Sequence, residues 1–215
     1  DYLNRYCEKF GEHADEVKNA ITDFYESFPE LDSKYLEKHL STYFNYTKTA
    51  PPAGITNFVL KEGSIIDYGK RMTDNFDKDL NKWLCHEYAA AIKPIIANSD
   101  EICVRFEKIT ENLSEPLKTH FKIKWLLSAK TLNYIYKWYV ALHDAKIHRD
   151  GADGEKMKKS ILEASGYLFD YLKYRKCAEY GEFKNWYRGD LKMNIKQRLY
   201  DTLKIIGQTP EMTEY

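Results

Sequence analysis

The chain has 215 residues, of which 43% are hydrophobic and 31% are charged, a composition typical of folded proteins that excludes a disordered chain. Its 33 basic residues only balance its 33 acidic residues, which argues against nucleic acid as the main partner. No apolar run reaches the roughly 18 residues that a membrane-spanning helix needs. We therefore expect one domain, with or without a small appendage, that does not have nucleic acid as its partner and does not span a membrane.

The N-terminal residues carry two runs of helical spacing. Residues 2–10 place their apolar side chains on one face of a helix, and Gly11 interrupts the pattern. Residues 13–28 then repeat apolar positions every three or four residues, until Pro29 stops the run. Because the chain opens inside a helical pattern, we expect it to be a mature fragment or an excised domain.

The middle of the chain divides the predicted fold into two parts. A third short helix is expected after a cap at Asp32 or Ser33. An irregular connection follows over 47–64, because two consecutive prolines and a glycine disfavour helix there. We therefore divide the chain into short helices (1–46), this connection, and a long-helix bundle (65–215), which together form one compact domain.

The bundle is predicted to contain three long helices. Apolar residues recur at helical spacing over 84–113, where Pro94 allows a bend, over 117–142, and over 157–175. Helices of about 30 residues would each span about 45 Å, and short links make such helices antiparallel neighbours. Asp153 is a plausible N-cap for the third of them. A shorter helix is expected over 190–206, and the predicted fold class is all-α.

Motifs that carry chemistry are missing from the sequence. It has no phosphate-binding glycine loop, no nucleophile elbow and no zinc-protease motif. No Glu-x-x-His pair is present, although di-iron bundles require two of them. His143 and His148 would point about 140° apart on one helix, so they cannot share a metal ion. We predict structural histidines at the surface or half-buried, no catalytic residues, no metal site and no cofactor.

The four cysteines, Cys7, Cys85, Cys103 and Cys177, show no Cys-x-x-Cys spacing, so a zinc ribbon is not expected. A continuous helix would hold Cys85 and Cys103 about 27 Å apart, which excludes a disulfide between them. We expect buried free thiols.

Charge is distributed unevenly between the two ends of the chain. Residues 1–37 hold ten acids against four bases, and residues 173–198 hold eight bases against three acids. The favoured interpretation is a pair of solvated faces that attract each other, and the alternative is an anion-binding site.

Residues 178–194 combine large aromatic, charged and glycine residues between two predicted helices. Asn185, Trp186, Tyr187, Arg188 and Asp190 are the candidate substrate-contact residues. The two aromatic side chains either fill the corner between the helices or project as a stacking platform, and the first interpretation is favoured. The acid is also expected to cap the last helix, and Gly181 to end the preceding one.

Two stretches resemble part of a known group of enzymes. Residues 1–28 contain a Phe10-Gly11 step before Ala14, and residues 167–194 contain the glycine- and aromatic-rich corner. They resemble the helical region that follows the catalytic barrel in glycoside hydrolases of family 115 and in related glycosidase-like proteins of gut bacteria. No Gly-Lys-Trp triplet occurs at 181–183, in contrast to that family.

The resemblance implies a non-catalytic, C-terminal accessory domain of a secreted bacterial carbohydrate-active enzyme. Its partners would be the upstream catalytic barrel of the same polypeptide and an oligosaccharide, in the periplasm or outside the cell. The main alternative is a free-standing helical module that binds another protein through its aromatic or charged faces. A third hypothesis is an unrecognised enzyme that acts on a small molecule.

Overall fold

The structure is a computed structural model that describes residues 2–26, 65–66, 68–80, 83–177, 179 and 194–210. Within these ranges the regular structure is helical and contains no strand, which confirms the predicted all-α class. The main helices are α1 (Tyr2–Glu8), α2 (Ala14–Glu26), α3 (Tyr88–Asn112), α4 (Leu117–Phe121), α5 (Leu127–Asp150), α6 (Gly154–Cys177) and α7 (Ile195–Lys204). Residues 65–66 and 68–74 are helical as well.

The break between α1 and α2 lies where the sequence predicts it. Gly11 has a φ of +58°, a left-handed conformation that glycine adopts without steric cost. A 3₁₀ turn, Gly11–His13, then leads directly into α2. The predicted third short helix and the irregular connection at 47–64 lie outside the described residues.

The long helices occupy the predicted positions. A π-helical turn, Trp83–Glu87, leads into α3, which runs through Pro94. A second π-helical turn, Lys122–Leu126, joins α4 to α5, so that the chain is helical from Leu117 to Asp150. The apolar spacing of 117–142 lies within this segment, which continues to Asp150 with Ala145 and Lys146 buried.

The two caps predicted for the later helices have different outcomes. Asp153 accepts a hydrogen bond of 3.1 Å from the backbone N–H of Lys156, which confirms it as the N-cap of α6. At α7 the cap is Asn194, whose side chain accepts a 3.2 Å bond from the N–H of Gln197. The prediction that Asp190 caps this helix is wrong, because the helix begins at Ile195.

One hydrophobic core joins the short helices to the long ones. The three-residue turn between α5 and α6 makes them antiparallel neighbours. Helix α3 packs on α5, α2 packs on α3, and α7 packs on α6. The rings of Phe24 in α2 and Phe106 in α3 lie 5.6 Å apart within this core. None of the helices described is both long and apolar enough to cross a lipid bilayer.

Candidate functional site

The corner that contains Asn185, Trp186, Tyr187, Arg188 and Asp190 lies outside the described residues, as does Gly181. Its two flanks are described. Helix α6 leads into it, and Lys176 near the end of that helix pairs with Glu179 at 3.0 Å. Helix α7 leads out of it and packs on α6. The prediction that the corner contacts a substrate therefore stays a prediction.

A lysine–tyrosine network ties the three long helices together. We define it by Asp100 and Glu107 on α3, Lys130, Tyr134 and Lys137 on α5, and Tyr167 and Tyr174 on α6. Lys137 Nζ lies 2.6 Å from Asp100 Oδ1, and the amide of Asn133 donates to the same oxygen at 3.0 Å. Lys137 also lies 5.9 Å from the centre of the Tyr167 ring, so one lysine links all three helices.

A second layer repeats this arrangement at the other end of the network. Lys130 Nζ lies 2.5 Å from Glu107 Oε1 and donates to the Tyr174 hydroxyl at 3.2 Å. Between the two layers, the Tyr134 ring lies 6.4 Å from that of Tyr167 and 5.6 Å from that of Tyr174. Each carboxylate of the network is therefore paired with a lysine, and the rings pack against one another.

The protonation states of this region follow from its burial. Burial is the main cause that raises the pKa of Tyr134 and of Tyr167 to about 12, and nearby carboxylates add to it. Burial likewise raises the pKa of the Cys103 thiol to about 12. At neutral pH these groups keep their protons, so none of them is an activated nucleophile or base.

The joint between α1 and the start of the second long helical segment is built from five polar and aromatic side chains. We call it the Tyr6 cluster: Tyr6, Lys9, His120, Lys124 and Trp125. The indole N–H of Trp125 donates to the Tyr6 hydroxyl at 2.7 Å. The Tyr6 oxygen lies 3.0 Å from His120 Nε2, and Lys9 Nζ lies 2.8 Å from the same nitrogen.

Hydrogen-bond chemistry fixes the state of His120 in this cluster. An ammonium group only donates, so Nε2 must accept the bond from Lys9, and a neutral ring then carries its proton on Nδ1. Burial is the main cause that lowers the pKa of His120, and the ammonium groups of Lys9 and Lys124 lower it further.

We expect the stability of the chain to fall as the pH drops through the ordinary range of histidine. The folded pKa of His120 is below its unfolded value near 6.5, so the unfolded chain binds more protons between the two. The stabilisation is complete above pH 6.5 and decreases from there toward the folded pKa. Urea unfolding between pH 5 and 7.5 measures this slope, and His120→Gln should make it shallower. An unchanged slope in that variant would contradict the assignment.

A second histidine contact joins the turn before α3 to α5. His143 Nδ1 donates to the carboxylate of Asp144 at 3.2 Å, and His86 Nδ1 donates to His143 Nε2 at 3.1 Å. His143 is buried, whereas a surface or half-buried position was predicted, because it lies on the core side of α5; Lys93 pairs with Asp144 at 3.2 Å. Burial raises the pKa of Asp144, but its bonds to His143 and Lys93 outweigh this effect and lower it overall.

The cysteine predictions hold for three of the four residues. All four thiols are free, and Cys7, Cys85 and Cys103 are buried, whereas Cys177 is exposed. Cys177 is exposed, in contrast to the prediction, because it is the final residue of α6 and its side chain lies outside the core. Burial raises the pKa of Cys7 and of Cys85, so these thiols are poor nucleophiles.

Sequence reasoning did not find the Tyr6 cluster or the lysine–tyrosine network. Tyr6 and His120 are 114 residues apart, and no local spacing connects them. Only charge gives a signal: residues 116–143 contain five lysines and no acid. In the part of the chain that the structure describes, no three His, Cys, Asp or Glu side chains are arranged to hold a metal ion.

The chain was compared with models of protein families, with curated protein sequences and with solved structures, and no match was found in any of the three.

Proposed function

We propose that the chain is a non-catalytic helical accessory domain of a secreted bacterial glycoside hydrolase. In this proposal it packs beside the catalytic barrel of the same polypeptide and braces or extends the substrate cleft. Asn185, Trp186, Tyr187, Arg188 and Asp190 would lie at that cleft and contact an oligosaccharide. The sequence resemblance of residues 1–28 and 167–194 is the basis for the class of partner.

The internal pairing of the lysine–tyrosine network is the observation that supports a bracing role. Asp100 and Glu107 are the carboxylates of α3 in the network, and each is held by a lysine of α5. Carboxylates that hydrolyse glycosides instead need a free face toward the sugar and a separation set by the reaction. Paired groups that cross-link three helices make a rigid support, because breaking one pair leaves a partly buried charge unpaired.

The buried thiols and tyrosines support the same role. Their raised pKa values keep Cys103, Tyr134 and Tyr167 protonated at neutral pH, so they are not prepared for nucleophilic or general-base chemistry. Such groups contribute packing and hydrogen bonds to a stable bundle.

The purified chain is expected to release no nitrophenol from a panel of nitrophenyl glycosides, because neither the network nor the Tyr6 cluster presents an unpaired acid and base together. Absorbance at a range of pH values measures the release. As a control, the Asp100→Asn variant should give the same background as the unaltered chain. Turnover above background that Asp100→Asn abolishes would contradict the non-catalytic role.

The accessory role itself is tested on the complete gene product. If the open reading frame encodes a barrel before these residues, deleting residues 1–215 should lower the barrel's melting temperature and its activity on long oligosaccharides more than on nitrophenyl glycosides. An equal loss of activity on both kinds of substrate after the deletion would contradict a contribution to the cleft. An open reading frame without a barrel would favour the free-standing interaction module instead.

A further inference from the structure

The Tyr6 cluster brings two positive charges together without a carboxylate between them. The ammonium group of Lys9 lies 3.8 Å from the centre of the Tyr6 ring, and that of Lys124 lies 4.9 Å from it. Both lysines are exposed, and among the described residues neither forms an ion pair with an acid. Elsewhere in this part of the chain, lysines such as Lys130 and Lys137 are paired with carboxylates.

Two like charges at one aromatic ring are unfavourable unless a negative charge joins them. Partial burial is the main cause that lowers the pKa of Lys9, and the neighbouring Lys124 lowers it further. The ring of Tyr6 compensates in part through cation–π attraction, which supplies about 0.5–1 kcal/mol at an exposed site. A carboxylate or phosphate oxygen would compensate far better, because ammonium groups donate charge-assisted hydrogen bonds to such oxygens.

We infer that the Tyr6 cluster is a binding site for a small anion that carries a carboxylate or phosphate group, held between Lys9 and Lys124 and coupled to the protonation of His120. The charged groups that face His120 are Lys9 from α1 and Lys124 from the π-helical turn, and the Tyr6 hydroxyl faces it as well. The two ammonium groups disfavour a second proton on the ring. An anion between the lysines reverses this balance, so its binding favours proton uptake by His120.

The surface beside Lys9 offers room for the rest of such a ligand. Lys9 lines an open cavity of about 450 Å³, a volume within the range of small-molecule sites. The cavity lies between the α1–α2 turn and the link from α3 to α4, and Glu12, His13, Asn112 and Ser114 supply polar groups to it. Leu117, three residues before His120 on α4, adds an apolar wall.

An NMR titration of the whole chain tests this inference with three separate probes: inorganic phosphate, acetate and glucose, each at constant ionic strength set with sodium chloride. We expect saturable shifts of the His120 ring signal, assigned with the His120→Gln variant, with phosphate or acetate, together with a rise in its pKa. The two anions distinguish a phosphate-bearing ligand from a carboxylate-bearing one. No saturable shift with either anion, or shifts with glucose alone, would overturn the inference.

Lysine variants then separate a built site from general charge attraction. Lys9→Met and Lys124→Met should each weaken anion binding by about tenfold, because each removes a charge-assisted hydrogen bond. Lys122→Met is the matched control, since it removes an exposed charge from the same turn as Lys124. It should change the affinity by less than about twofold. An equal loss in all three variants would overturn the inference.

The site is independent of the carbohydrate role proposed above, because it lies at the α1–α4 joint rather than at the corner of 178–194. If the chain binds the anion but its deletion leaves the barrel unaffected, only the accessory role fails. If the deletion affects the barrel but no anion binds, only the anion site fails.

Discussion

Replacing Trp138 with alanine is expected to lower the free energy of unfolding by about 3–5 kcal/mol. Trp138 is among the largest of the fully buried side chains, and it lies at the centre of α5. Its indole N–H donates to the hydroxyl of Thr202 in α7 at 3.1 Å. Its ring also packs against Gly69. The substitution therefore opens a cavity where three parts of the chain meet.

Urea unfolding followed by circular dichroism measures this loss, and two further variants define its origin. Trp138→Phe retains most of the ring but leaves the Thr202 hydroxyl without its donor, so an intermediate loss of about 1–3 kcal/mol is expected. Tyr2→Ala removes a large side chain that is 80% exposed, and it should change stability by less than about 0.5 kcal/mol. A loss in Trp138→Ala as small as that of Tyr2→Ala would contradict the described core.

Replacing Gly69 with alanine is expected to destabilise the chain by about 1–3 kcal/mol, although alanine is the better helix former. A Cβ at this position would lie 2.3 Å from one ring carbon of Trp138 and 2.5 Å from another. The ring is fully buried and cannot move away freely. Close approach of the helical segment 68–74 to α5 therefore requires a residue without a side chain.

Gly166→Ala is the matched control, because Gly166 lies within α6 and a Cβ there would meet nothing within 4 Å. It should stabilise the chain by about 0.5–1 kcal/mol through helix propensity alone. A double variant is a stricter test. In a chain that already carries Trp138→Ala, Gly69→Ala should lower the free energy of unfolding only slightly, because the new methyl group enters the cavity. Destabilisation by Gly166→Ala, or additive losses in the double variant, would contradict this contact.

Local signals in the sequence predict the helices well where each helix carries its own start and stop. Gly11 ends the first helical run because a positive φ suits glycine, and Asp153 caps α6 because its carboxylate reaches a free N–H three residues later. For α7 the sequence predicts a cap at Asp190 and the structure has it at Asn194, because both residue types accept this bond and local sequence does not choose between them.

Local signals are less informative about the sites. The residue types of 185–190 are the basis of the substrate-contact prediction, and these residues lie outside the described ranges. The described polar sites consist of side chains that are far apart in sequence, such as Asp100 and Lys137 or His86 and His143. Each residue alone looks like an ordinary surface or core residue of a helix.

Periodicity along the chain predicts the all-α class and the positions of the long helices, and the distance along one helix excludes a disulfide between Cys85 and Cys103. Only the packing of the helices reveals that Lys9 and Lys124 converge on Tyr6, and that Gly69 is the residue in contact with Trp138. The physical reason is that helical spacing specifies which face of a helix is buried, whereas the packing of one helix on another specifies which residues of two such faces meet.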